Sequence, residues 1–209
     1  FLCHPSALAF GAAGYMATSQ QGHDWRYDSE TDTDFSFMGP TLWPDSLEER
    51  EPYEDEFDGP WADTVLGFDG GHASHLDMLH NSPEGAGIAW QADNVFWVFD
   101  GYHGALTSYD FVKPHMPGGT VHSDGIIVRY LDGELGYDDE VVSHVALDEG
   151  DGFAHVYAAD TANRRIIRLD PTSGTPGDDI EPNWDGANLT ARDGAVLEVF
   201  VDGDSVEPA

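Results

Sequence analysis

The chain has 209 residues, enough for one well-buried domain, and its 24 Gly and 12 Pro beside 40% hydrophobic residues favour short strands and many turns over long helices. Forty Asp and Glu stand against eight Lys and Arg, a formal net charge of −32, with Lys113 the single lysine. A nucleic-acid binder needs clustered cations to neutralise phosphates, and a peripheral membrane protein needs them to meet anionic lipid, so neither partner is expected.

Three origins of the acidity stay open: solubility of a surface or secreted protein, adaptation to high salt, or weak calcium loops. Cys3 is the single cysteine, so no internal disulfide is expected. No run of about 18 apolar residues is present, so membrane insertion is not expected.

The elements follow in chain order. Phe1 to Ala17 is apolar, but it lacks a basic n-region and contains His4 and Pro5, so it reads as folded structure rather than a signal peptide. Within it, His4-Pro-Ser-Ala-Leu-Ala-Phe10 predicts a strand, Gly11 to Gly14 a turn, and Tyr15-Met-Ala-Thr18 a second strand. Residues 20–80 read as an acidic and aromatic insertion, with Phe35-Ser-Phe-Met-Gly-Pro-Thr-Leu-Trp-Pro44 ahead of an acid-rich stretch through Asp58. Such a segment is either a functional loop or a lid that packs on the domain.

The pattern of the first two strands returns in Gly85-Ala-Gly-Ile-Ala-Trp90, a turn at Gln91 to Asn94, Val95-Phe-Trp-Val-Phe-Asp100 and Ala105-Leu-Thr-Ser-Tyr-Asp-Phe111. It returns again in His144-Val-Ala-Leu-Asp148, a turn through Gly150 to Gly152, His155-Val-Tyr-Ala-Ala-Asp160 and Arg165-Ile-Ile-Arg-Leu-Asp170. Gly125-Ile-Ile-Val-Arg-Tyr-Leu131 and Ala195-Val-Leu-Glu-Val-Phe-Val201, each bounded by turn residues, predict outer strands. Short runs broken by Gly, Asp and Asn, with no sustained helical stripe, give an all-β chain with four strands per repeat.

Val156-Tyr-Ala-Ala-Asp-Thr-Ala-Asn-Arg-Arg-Ile-Ile-Arg-Leu-Asp170 resembles the NHL repeat, and Trp97-Val-Phe-Asp-Gly-Tyr-His-Gly-Ala-Leu106 is a looser copy. The resemblance covers about half of the chain and implies a β-propeller with four-stranded blades over residues 1–209. In such a motif the Asp and Asn cap the turn between two strands, and the Arg is expected across neighbouring backbone carbonyls. Propellers close with about four to eight blades, whereas three repeats are legible here. A disguised fourth blade, an incomplete ring, or self-association that supplies the missing blades would each reconcile the two.

Ten histidines offer metal ligands. Residues just ahead of an innermost blade strand lie near a propeller's channel, so His4, His80 and His144 are expected to converge there. The ligands of a zinc or copper ion are expected among His75, His80, His122 and His144. His115 and His122 flank Met116-Pro-Gly-Gly-Thr-Val121, and the thioethers of Met78 and Met116 would favour copper(I).

Phe99-Asp-Gly-Tyr-His-Gly104 and Ser143-His-Val-Ala-Leu147 further resemble segments of the peptidyl-hydroxyglycine lyases, zinc enzymes on an NHL-type propeller. That resemblance implies Tyr102 as a catalytic phenol and His144 as a zinc ligand. The chain departs from it at Thr161, where the family has an arginine, and it lacks a match to the final histidine-bearing blade.

Asp28-Ser-Glu-Thr-Asp-Thr-Asp34 places carboxylates at alternate positions, as half of a calcium loop does, but Thr33 stands where the turn glycine belongs and Gly39 where the twelfth-position Glu belongs. No nucleophile elbow, phosphate-binding loop or His-Glu-x-x-His helix is present. The expected protein is an extracellular, cell-surface or periplasmic acidic propeller binding a metal ion near its channel mouth. A zinc-dependent lyase and a non-catalytic, calcium-stabilised scaffold are the alternatives.

Overall fold

The apolar runs become strands where the sequence places them. The computed structural model describes residues 4–22, 25–29, 32–36, 38–45, 75–115, 122–130, 135–148, 155–181, 183 and 185–203, with backbone alone at 25–28 and 33–36. Cys3, Met116 and the turn through Gly150 to Gly152 lie outside these residues. Every element among them is a β-strand, as the composition requires.

The first sheet takes β1 (Pro5–Phe10) and β2 (Tyr15–Gln20), and a separate hairpin of β3 (Trp25–Asp28) and β4 (Thr33–Ser36) follows. β5 (Thr41–Pro44) and β6 (Asp77–Met78) complete the first sheet in the order β1-β2-β5-β6. The stretch 20–80 that reads as an insertion therefore supplies this sheet's two outer strands. The second sheet is built on β7 (Gly85–Ala92), β8 (Val95–Asp100), β9 (Ala105–Asp110) and β10 (Ile126–Tyr130). The third holds β11 (His144–Leu147), β12 (Val156–Asp160) and β13 (Arg165–Asp170).

From the third sheet the chain crosses back. β14 (Thr175–Asp179) and β15 (Asn188–Asp193) extend the second sheet to the order β14-β15-β10-β9-β8-β7. β15 runs parallel to β10, with Ile127 opposite Leu189. β16 (Val196–Asp202) then returns to pair with β13 as the fourth strand of the third sheet. This excursion ties the second and third sheets together through main-chain hydrogen bonds.

The second sheet is the middle layer of three. Successive side chains of a strand point to opposite faces, so a strand covered on both sides must be apolar throughout. Val95-Phe-Trp-Val-Phe99 meets that demand. Phe96 and Val98 pack with Ala17 and Leu42 of the first sheet, whereas Trp97 and Phe99 pack with Val145, Val156, Ala158, Ile167 and Leu169 of the third. Each large side chain buried in this way contributes about 1.5–3 kcal/mol.

The first strands of the sheets lie side by side, with β7 in contact with both β1 and β11. A Cβ on Gly87 would fall 2.8 Å from His144 Cα and 2.9 Å from Val145 N, so β7 and β11 can approach this closely only at a glycine.

A repeated carboxylate fixes the turn after β8 and the turn after β12. Asp160, fully buried at the end of β12, accepts hydrogen bonds from Gly136 N–H (2.8 Å), from Asn163 Nδ2 (2.9 Å) and from Arg165 Nε (2.7 Å). Asp160 and Asn163 thus cap the turn as the repeat motif implies, and Arg165 answers the carboxylate. Asp100 holds the same place at the end of β8, bound by Ser82 Oγ (2.6 Å), by Thr107 Oγ1 (3.3 Å) and by the ring of His103, with Arg129 Nε 3.4 Å away. Burial pushes the Asp100 carboxyl up, but His103, Arg129 and Ser82 outweigh it and hold the group below its ordinary value.

Candidate metal centre

Local chain geometry brings separate histidines to one place. β6 is held on β5 by Leu76 N–H donating to Leu42 O (2.8 Å) and by the pairing of Asp77 with Leu42. This sets His75 and Asp77 at the outermost strand of the first sheet. After β9, Val112 adopts a left-handed φ of 49°, a costly conformation for a β-branched residue. Its N–H donates to Asp110 Oδ1 (2.8 Å), and its carbonyl accepts from Asn94 Nδ2 (3.2 Å). The redirected chain reaches β6, where His115 N–H donates to Leu76 O (3.0 Å). His122 opens the turn into β10, closed by Gly125 N–H on its carbonyl (3.2 Å), and Gly125 gives way to the Leu79 side chain.

The result is a group of three imidazoles, His75, His115 and His122, whose ligand atoms all lie within 4.8 Å of one another. The rings of His115 and His122 are 4.9 Å apart between centroids, and His75 lies 5.9 Å from His115 and 6.0 Å from His122. Asp77 joins them. Its Oδ1 is 2.9 Å from His122 Nδ1 and 3.3 Å from His115 Nε2, and those two nitrogens are 3.1 Å apart. His80, with its ring 5.8 Å from that of His122, is bound through Nδ1 to Asp185, which also accepts the His80 backbone N–H (2.7 Å).

Burial sets the charge state. His75 is only 8% exposed, and desolvation, reinforced by His122 and His115, pushes its pKa down to about 3, so the ring is neutral with a lone pair to give. Burial would raise the Asp77 carboxyl, but hydrogen bonds from His115 and His122 bring it below its ordinary value. The centre therefore joins a neutral imidazole to an ionised carboxylate.

These donors fit a metal ion. Ligand atoms about 2.0–2.1 Å from a tetrahedral ion stand about 3.3 Å apart, close to the edges of the triangle formed by His115, His122 and Asp77. With both ring nitrogens donating to Asp77, the 3.1 Å edge between His115 Nε2 and His122 Nδ1 sets two protons against each other, whereas one cation in place of those protons is shared by all three atoms. Asp77 Oδ2 is also buried and accepts no hydrogen bond among the described residues. The absence of wide exposure at His75, His115 and His122 matches a closed structural site better than an open catalytic one.

Of the residues expected to bind metal, His75 and His122 belong to the group and His80 lies beside it, bound to Asp185, while His144 lies exposed at the start of β11, outside the group. His4, exposed ahead of β1, is outside it as well. The group sits on β6 and the segment after β9 rather than on the first strands β1, β7 and β11. Met78 is buried on the face of β6 opposite Asp77, so its thioether is not directed with that carboxylate. Tyr102, 48% exposed in the turn between β8 and β9, packs edge-on against His103. Of the Asp28 to Asp34 stretch, Asp28 pairs with Thr33 and Asp34 with Tyr27 in the hairpin of β3 and β4, and Glu30 and Thr31 lie outside the described residues.

His115, Asp77 and Asp185 complete the constellation without having been singled out as ligands in the sequence. For His115 a signal exists: it and His122 flank Pro117-Gly-Gly119, residue types that favour reversal of the chain. No protein-family model matches the chain, and no curated protein gives a significant match to it.

Proposed function

We propose that this protein is an open arc of NHL-like propeller blades that holds a transition-metal ion through His75, His115 and His122, with Asp77 as the adjoining carboxylate. The convergence of three ring nitrogens within 4.8 Å carries the reading. Imidazole and carboxylate donors suit zinc or copper(II), and the donor set gives copper(I) little to select it. The stacking of three repeats on a common middle sheet, with β7 between β1 and β11, supports the blade arrangement.

The ion would fasten the outer edge of the first sheet to the segment leaving the second. His80 and Asp185 extend that fastening to the segment ahead of β15, with Asp185 fixing the tautomer of His80. A site of this kind stabilises the folded state by mass action, by about 2.7 kcal/mol when free metal stands at a hundred times its dissociation constant.

Elemental analysis of protein refolded with zinc or copper and then dialysed tests the reading. About one bound ion per chain is expected, lost in His115→Ala and in His122→Ala, with a rise in melting temperature that only the wild type shows. Copper(II) should also quench Trp43, whose ring centroid lies 6.4 Å from that of His75. Metal content unchanged by both substitutions would overturn the assignment.

A further inference from the structure

The two ends of the sheet stack carry matching faces, and among the described residues neither has the neighbour that covers its counterpart inside the molecule. Strand pairing sets the correspondence. Leu8 pairs with Thr18, Ile88 with Val98, and Val145 with Ala158, each two residues before the end residue of the partner strand's motif, Gln20, Asp100 or Asp160. Ile88 is 2% exposed against the first sheet and Val145 is 1% exposed against the second, but Leu8 is 57% exposed, with Phe10 beside it at 65%. Alternation turns Leu8 and Phe10 away from the second sheet, because Ala7 and Ala9 pack toward it.

The opposite end shows the complementary deficit. Counting back from Asp100 and Asp160, Tyr157 and Ala159 take the places of Trp97 and Phe99, and Ile166 takes that of Leu106. Trp97, Phe99 and Leu106 are all buried by the third sheet. Their counterparts face outward: Ile166 is 38% exposed, and Phe200, 53% exposed, stacks edge-on against Tyr157 at 5.2 Å. The face is aromatic and aliphatic around one ion pair, Arg168 with Glu198, whose guanidinium lies 5.5 Å from the Phe200 ring, and so much exposed apolar surface is unusual at the end of a stack, since terminal repeats ordinarily present a polar outer face.

We infer that the occupant of each end is a second copy of this chain, docked head to tail so that Leu8 and Phe10 of one copy meet Tyr157, Ile166 and Phe200 of the other. Two such contacts close a ring of six sheets, within the range of about four to eight that propellers use. The inference rests on the blade-arc reading above and is independent of the metal. A second copy is the fitting partner because the contact it offers continues the packing already present between successive sheets. The outer part of the first sheet's face, at Thr41, Trp43 and Met78, is buried within the chain, which confines the contact to the inner strands. With −32 charges on each copy, the pair forms when salt screens their repulsion.

Sedimentation of the full chain at about 0.1 M and about 2 M NaCl tests this. A monomer at low salt that becomes a dimer at high salt is expected. Leu8→Asp and Ile166→Asp should each abolish the dimer, and an equimolar mixture of the two variants should restore a weaker, open one, because the intact third-sheet face of the first meets the intact first-sheet face of the second at one contact while the other contact carries both substitutions. Circular dichroism checks that both variants fold, and Phe10→Asp with Phe200→Asp repeats the complementation at a second pair of exposed positions. A chain that stays monomeric at high salt and high concentration would overturn the inference, as would a dimer that neither substitution disturbs. Small-angle scattering from the monomer reports the three-sheet arc separately, so failure to dimerise is distinguishable from failure of the blade reading.

Discussion

Asp100 shows how one side chain can be essential to a turn and costly to alter. Its carboxylate is fully buried and serves Ser82, His103, Thr107 and Arg129 at once. Asp100→Asn leaves the buried Arg129 without its counter-charge, and unfolding in urea at neutral pH should show a loss of about 3–5 kcal/mol. The folded carboxyl titrates below the ordinary value of 3.8, so its contribution is complete above that value and is lost as pH falls through the lower, folded one. The gap between wild type and variant should therefore narrow on acidification below about pH 4. A gap constant down to strongly acid pH would show that the charge of Asp100 is not what the turn uses. Asp160 and Asn163 were legible as turn caps because their spacing is local. Asp77 and Asp185 were not, since their partners lie 45 and 105 residues away in sequence.

Among the elements, β7 is the most constrained, because its backbone touches another sheet directly. Gly87→Ala would place a methyl group against the main chain of His144 and Val145, atoms that cannot rotate aside. A destabilisation of about 1–3 kcal/mol is expected, read as a lowered denaturation midpoint with unchanged strand content. An unchanged midpoint would mean that β7 and β11 stand further apart. Most strands were legible from alternation and turn residues, and the turn expected at Gln91 to Asn94 tightens to Asp93 and Asn94, with Asp93 at a left-handed φ of 45° and Gln91 and Ala92 inside β7. β14 and β15 were not expected: Thr175-Pro-Gly-Asp-Asp179 has poor strand propensity, and its pairing with β15 is what makes it a strand. β6 has only two residues and carries no periodic signal of its own.

At the scale of the molecule, self-repulsion among 40 acidic and only eight basic residues opposes folding, and added salt should raise the melting temperature of even the monomeric Leu8→Asp variant. A melting temperature independent of salt would place the acidic groups too far apart to matter. The sequence by itself determined the all-β class and the recurring strand pattern, because periodicity and turn chemistry are properties of neighbouring residues. Only the tertiary structure decided that the second sheet lies between the other two, that β15 joins it in parallel, and that His115 rather than His144 completes the imidazole group. Those outcomes depend on which faces bury against one another, and that choice is made between segments far apart in the chain, where local pattern carries no information.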